Sequence, residues 1–204
     1  PHHKSLQDYL SKEDFEKLKE IFHDRLGVSH LKFNLVYKNF KPIMLSTTMT
    51  RLAFDDVKFY ELELIEKAKA NDMLTLGLET VEREVKALEK FPVKEQIEAL
   101  EYSIANFDKQ LKDYQVLIEA YKRGDLHKTL AYFMHPVEHN EDFRKIFIVN
   151  RNEEWVPKMI QYMHQAPTFF AIGTSHLADE EGLIHLLVEE GYTLRPIKDT
   201  HMTD

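Results

Sequence analysis

The run Gly173-Thr174-Ser175-His176, closing an apolar stretch, carries the strongest chemical signal in the sequence. An imidazole changes charge near neutrality, so it can move a proton or give a lone pair to a metal ion. Thr174 and Ser175 add hydroxyls and amides that can hold a substrate. A glycine ending a strand lets the chain turn sharply, and the residues after it emerge at the carboxyl edge of a sheet, where α/β proteins bind ligands. The competing reading is an imidazole that only caps or hydrogen-bonds its loop. Glu79, following Leu76-Gly77-Leu78, is the parallel case: a metal ligand, a base, or a cap for a helix starting at Thr80. Arg151 and Asn152 interrupt an apolar stretch from Ile146 to Trp155, so one of them is expected to face inward. A buried arginine needs a carboxylate partner or an anionic substrate.

Other clusters carry less. His135 and His139 have the four-residue spacing of a helical metal pair, with Glu138 and Asp142 close by, but Pro136 and Asn140 make this segment a turn between helices. His185 lies in a leucine-rich helix and reads as a partly covered helix residue. Gly-rich phosphate loops, a Gly-x-Ser-x-Gly elbow and a His-Glu-x-x-His pair do not occur. With no cysteine, thiolate metal sites and cysteine nucleophiles are excluded.

These residues need elements to position them. Ser11 caps a helix whose apolar face runs Phe15, Leu18, Ile21, Phe22, Leu26 before Gly27 stops it. Residues 31–54 read as short helices broken at Pro42, and Asp55 and Asp56 cap a helix that ends at Asn71-Asp72. Met73–Leu78, Thr168–Gly173 and Tyr192–Ile197 read as buried strands, with a helix over Glu180–Glu190 between the last two, capped by Asp179 or Glu180 and stopped by Gly191. The fold class expected is mixed α/β, predominantly helical: a small central sheet with a helical insertion over about residues 80–165 and a strand-helix-strand unit over about 168–197.

The insertion has its own logic. Val93, Ile97, Leu100, Ile104, Phe107, Leu111, Tyr114, Ile118 and Tyr121 alternate four and three apart, the 3.5-residue period of one long helix starting after Pro92. Such a helix is on the order of 40 Å long. It must lie along another helix, Leu126–Met134 or Asp142–Gln165 (bent near Pro157), or along a second subunit, which makes it the candidate homodimer surface. The chain has 204 residues, suited to a single domain, and a net charge of −8 with no basic stretch, which excludes a phosphate-backbone binder. No apolar run approaches the roughly 20 residues that cross a bilayer.

Several of these stretches together resemble a known family. Arg151-Asn152-x-x-Trp155, Phe169 through Leu177, Gly182-Leu183-x-x-Leu186-Leu187 and Gly191-Tyr192 are similar to the carboxyl-terminal half of the TraB/GumN family, relatives of the Tiki metalloproteases. Gly77-Leu78-Glu79-Thr80 is similar to its central Leu-Glu-Thr element, and the matches run from about Tyr60 to Ile197. The family pattern has two Gly-x-x-His motifs. Only the late one, Gly173 to His176, occurs here, so the early motif and the acidic residue after it are expected upstream of Pro1. Asp179 stands where relatives tend to carry glycine.

What the resemblance implies is a divalent-metal-dependent hydrolase acting on peptides or proteins, with manganese or cobalt preferred over zinc and an extracytoplasmic or cell-envelope location in bacteria. In that reading His176 is a metal ligand or orienting residue, and Glu79 serves as a base or supports the ligands. Arg151 and Asn152 bind substrate or a developing oxyanion, and Gly173, Thr174 and Ser175 line the substrate site. The alternative is a non-catalytic peptide- or protein-binding regulator using the helical hairpin, since bacterial members of the family include regulators that intercept peptide signals.

Overall fold

The computed structural model describes residues 5–52, 54, 57–133 and 141–197. Its first helices follow from caps legible in the chain. Ser11 accepts a hydrogen bond from the Asp14 amide at 3.0 Å to start α1 (Lys12–Leu26), and Gly27, at φ 62°, ends it. Ser29 caps α2 (His30–Leu35), and Pro42 opens α3 (Pro42–Arg51). Residues 31–54 therefore hold short helices, as expected. Next, α4 (Tyr60–Ala70) ends at Asn71. Asp55 and Asp56, the caps expected for it, lie outside the described residues.

The expected long helix is two. Its first half is α6 (Val93–Ala105), starting after Pro92, and its second is α7 (Phe107–Lys122). At Asn106 the backbone leaves the helical region (φ −113°, ψ 22°), and the Asn106 side chain bonds the Tyr102 carbonyl at 3.0 Å, competing with the helix ladder. The apolar seam crosses the break: Phe107 and Leu111 of α7 join the same core as Leu100 and Ile104 of α6, and the Tyr114 hydroxyl lies 3.0 Å from the Thr50 hydroxyl of α3. Leu100, Ile104 and Phe107 are buried in a core with Phe15, Leu18, Phe22, Phe33 and Leu45, where α6 packs on α3 and α1, while α7 packs on α8 (Leu126–Phe133). The middle of the seam is thus closed within the chain, and the exposed large residues at its ends are Val93 and Tyr121.

The expected sheet is absent: no strand occurs among the described residues. Met73–Leu78, Thr168–Gly173 and Tyr192–Ile197 form neither helix nor strand, and no backbone hydrogen bond joins any of them to another. Each is held instead by side chains. Leu78, Phe170, Ile172 and Tyr192 pack on a core of Trp155, Val156, Met159, Leu183 and Leu187. Phe170 and Ile172 face this core while Phe169 is 72% exposed, so the period-two pattern is present without the ladder. The first run is not a buried strand, since Met73, Leu74 and Leu76 are all exposed. A two-residue period specifies an extended backbone with one covered face; it does not supply the neighbour that makes a sheet.

That core belongs to α10 (Asn150–Gln165) and α11 (Leu183–Glu189). The segment read as one helix over Asp142–Gln165 is α9 (Glu141–Arg144), a π turn over Lys145–Val149, then α10, which carries Pro157 in its interior. The last helix starts three residues later than expected, with Gly182 rather than Asp179 or Glu180 at its cap position. A third small core joins Ala87 and Phe91, around α5 (Val81–Lys90), to Phe147 in the π turn. No helix among the described residues is long and apolar enough to cross a membrane.

Candidate functional site

The site gathers on the first two turns of α10. Helical spacing places Arg151, Asn152 and Trp155 on one face, and the π turn just before them widens the helix, a feature frequent at functional positions. Asn152 is fully buried and makes three hydrogen bonds. Its Nδ2 donates to the carbonyls of Glu181 (2.7 Å) and His176 (3.2 Å), which fixes the orientation of the amide. Its Oδ1 therefore accepts, and His176 Nδ1 lies 2.7 Å from it. The neutral imidazole is consequently held as the Nδ1–H tautomer with its lone pair on Nε2.

His176 sits on a short 3-10 turn, Thr174–His176, over which α8 packs. It is 5% exposed, with its ring 4.5 Å from that of Trp155. Burial, and secondarily the charge of Arg151, lowers its pKa to about 4, against an opposing push from Glu79. The ring is therefore neutral at physiological pH.

Of the Arg151-Asn152 pair, Asn152 is the fully buried member, and Arg151 is half-buried with a carboxylate partner. Nη2 and Nε donate to the two Glu79 oxygens at 2.7 and 3.2 Å, Nη1 donates to the Phe147 carbonyl at 3.0 Å, and the guanidinium lies 4.7 Å from the Trp155 ring centre. The helix cap that competed for Glu79 is made by Thr80, which accepts from the Arg83 amide. Lys158 Nζ donates to the Leu78 carbonyl at 2.7 Å, and Arg83 forms a bidentate pair with Glu154 at 2.8 and 2.9 Å. Hydrogen bonding between these two raises the Arg83 pKa and lowers that of Glu154. The Leu78-Glu79-Thr80 turn is thus clamped to α10 at two places, and α5 at a third through Arg83.

Glu79, Arg151, Asn152 and His176 form one connected cluster. Thr174 and Ser175 stand beside it, half-buried, with no side-chain hydrogen bond among the described residues. The turn expected to need Gly173 does not need it. The Gly173 φ of −62° suits any residue, and a Cβ would meet His176 Cδ2 at an ordinary 3.8 Å, so no sharp turn depends on it. The demanding glycine is Gly182, where a Cβ would lie 2.1 Å from the Ala178 carbonyl oxygen. Asp179 has φ 69°, the left-handed region where glycine is at ease. Arg144 bonds Asp179 at 3.3 Å and Glu181 at 2.7 Å, tying this loop to α9.

Sequence reasoning missed Trp155 as a site residue. It is the only tryptophan, it falls three residues after Asn152 and four after Arg151, and its buried Nε1 has no hydrogen-bond partner. His135, Glu138 and His139 lie outside the described residues; Asp142 is exposed on α9, and His185 is exposed on α11, 3.4 Å from Glu189. A cavity of about 350 Å³ between α7 and α8, lined by Gln115, Glu119, Arg123, Asp125 and Lys128 among others, shares no residue with the cluster.

Residues 1–196 match the TraB/PrgY/gumN family, so the chain belongs to it. The match takes in the N-terminal helices as well as the stretch from Tyr60 onward that carries the resemblance. No curated protein and no solved structure matches the chain.

Proposed function

We propose that this protein is a hydrolase of peptide substrates to which His176 contributes a neutral imidazole with a fixed Nε2 lone pair. The observation that carries this reading is the Asn152–His176 lock. A histidine held neutral in one tautomer, with Nδ1–H bonded and Nε2 carrying the lone pair, is the form in which an imidazole ligates a metal ion, while a pKa near 4 makes it a weak base at neutral pH.

A divalent ion, manganese or cobalt before zinc, is the cofactor this reading takes from the family. The described residues fit it only in part. His176 Nε2 is a suitable donor, with its other nitrogen hydrogen-bonded as metal-bound imidazoles usually are. Glu79 is held by Arg151, Asp179 and Glu181 by Arg144, and Glu154 by Arg83. One donor does not hold an ion, so no step through a metal is derived.

The chain's own residues have definable roles. Asn152 sets the imidazole tautomer, and Glu79 positions Arg151 rather than acting as a free base. Arg151, half sequestered over Trp155, presents positive charge beside the ring, where an anionic group of a substrate or intermediate would be stabilised.

The test is peptide hydrolysis with manganese or cobalt, comparing the protein with its His176→Ala and His176→Gln variants, each verified as folded. Loss of turnover in both supports the reading, and unchanged turnover removes His176 from it. The cavity between α7 and α8 favours one other reading, a peptide-binding regulator. Peptide capture that persists in chelator and is weakened by changes at Arg123 or Lys128 would select it.

A further inference from the structure

We propose that Glu20, His23 and His30 form a second site, unrelated to the His176 cluster, that binds a divalent transition-metal ion of zinc type and staples α1 to α2.

Glu20 and His23 are three residues apart on α1 and so share a face. The left-handed Gly27 reverses the chain, and Ser29 caps α2 so that its first residue, His30, returns to that face. One donor atom from each of the three side chains lies within 4.8 Å of the other two. The His30 Nε2 to Glu20 Oε1 distance is 3.3 Å. Nitrogen and oxygen donors about 2.0–2.1 Å from a tetrahedral ion are themselves about 3.3 Å apart, so this edge already has ligand spacing. The rings of His23 and His30 are 5.0 Å apart at 62°, close without stacking flat.

The geometry does not depend on the exposed side chains themselves. Beneath them Phe22 packs edge-on against Phe33 at 5.2 Å, and Phe15 against Phe33 at 5.8 Å, all three in the buried core. The separation of the two helices is therefore set before any ion arrives, and binding requires only rotation of exposed side chains. Asp24 Oδ1 lies 3.1 Å from His23 Nδ1, positioned to hold the neutral ring with its proton on Nδ1 and leave Nε2 as donor, an arrangement usual behind metal-bound histidines. Among the described residues, Glu20 pairs with no lysine or arginine: its ion-pair partner is His30.

Two imidazoles and a carboxylate suit zinc, cobalt, nickel or copper, whereas magnesium and calcium require oxygen donors. Three protein donors leave the fourth position to water. Because the donors come from two helices, an ion bound here stabilises the native chain.

The experiment is zinc titration followed by calorimetry and thermal melting, on the full chain with His2 and His3 replaced by alanine so that they add no donors. One equivalent is expected to bind, raising the melting temperature by about 5–10 °C at a hundredfold excess over the dissociation constant. His30→Ala and His23→Gln are expected to weaken binding at least tenfold and remove the rise, while His176→Ala leaves both unchanged. Cobalt in place of zinc should give the visible absorption of a tetrahedral nitrogen-oxygen site. Absence of zinc binding, equal affinity in His30→Ala, or loss in His176→Ala alone would overturn the proposal. The outcome at His30 is independent of whether His176 proves hydrolytic.

Discussion

Acidification tests the Asn152–His176 lock most directly. Folded, His176 titrates near 4; unfolded, a histidine titrates near 6.5. Between those values the unfolded chain binds the extra proton and the folded chain does not, so stability rises with pH across this window. The contribution is fully present above about 6.5, is lost as pH falls toward 4, and changes no further below that. Over the whole interval it amounts to about 3 kcal/mol. For a small globular protein this is a large share of total stability. The assay is urea unfolding at half-unit steps from pH 4 to 7.5, on the protein and on His176→Asn, whose amide can still donate to Asn152 Oδ1. Asparagine does not titrate, so subtracting the two curves removes every other ionisable group. The variant is expected to be less stable at pH 7, where it has lost the contact with Trp155, but to lose about 3 kcal/mol less on acidification. Parallel pH profiles would refute the reasoning, because they would mean that His176 is protonated in the folded state as readily as in the unfolded one.

Four further outcomes follow from the same geometry. Asn152→Ala leaves the His176 ring and the buried His176 carbonyl without this partner and should cost about 2–4 kcal/mol in urea unfolding, with loss of the single Nδ1–H tautomer in nitrogen NMR. Arg151→Gln removes a positive charge that disfavours the imidazolium, so the His176 pKa should rise from about 4 when followed by NMR titration, whereas Glu79→Gln should lower it. Gly182→Ala forces a Cβ against the Ala178 backbone and should cost about 3 kcal/mol or more, while Gly173→Ala should change stability by less than about 1 kcal/mol. Asp179→Gly should be at least as stable as the parent, and Asp179→Val less stable by about 1–2 kcal/mol, because a β-branched residue is strained at φ 69°.

What could be read in the chain was local. Ser11, Gly27, Pro92 and Asn71 mark helix ends because capping depends on one side chain and the three or four residues beside it. That one of Arg151 and Asn152 turns inward was legible for a similar reason, since the pair interrupts an apolar run; which one is fully buried, Asn152, was not. Periodicity likewise gave the buried middle of the seam, Leu100, Ile104 and Phe107, and the alternating face of Phe170 and Ile172.

Tertiary structure decided what each periodic face met. The heptad pattern did not contain its break, because Asn106 interrupts the ladder without interrupting the spacing of apolar residues. Three apolar runs did not become a sheet, because a ladder needs a second backbone at hydrogen-bonding distance, and packing of Leu78, Phe170, Ile172 and Tyr192 on α10 and α11 supplied none. The convergence of Glu79, Arg151, Trp155 and His176 also lay beyond the sequence, since 72 residues separate Glu79 from its partner Arg151. A long loop closes at little added entropic cost, so sequence distance says almost nothing about which carboxylate an arginine will find. The fold selected the pair by laying the turn before α5, with Glu79, against the face of α10 that carries Arg151.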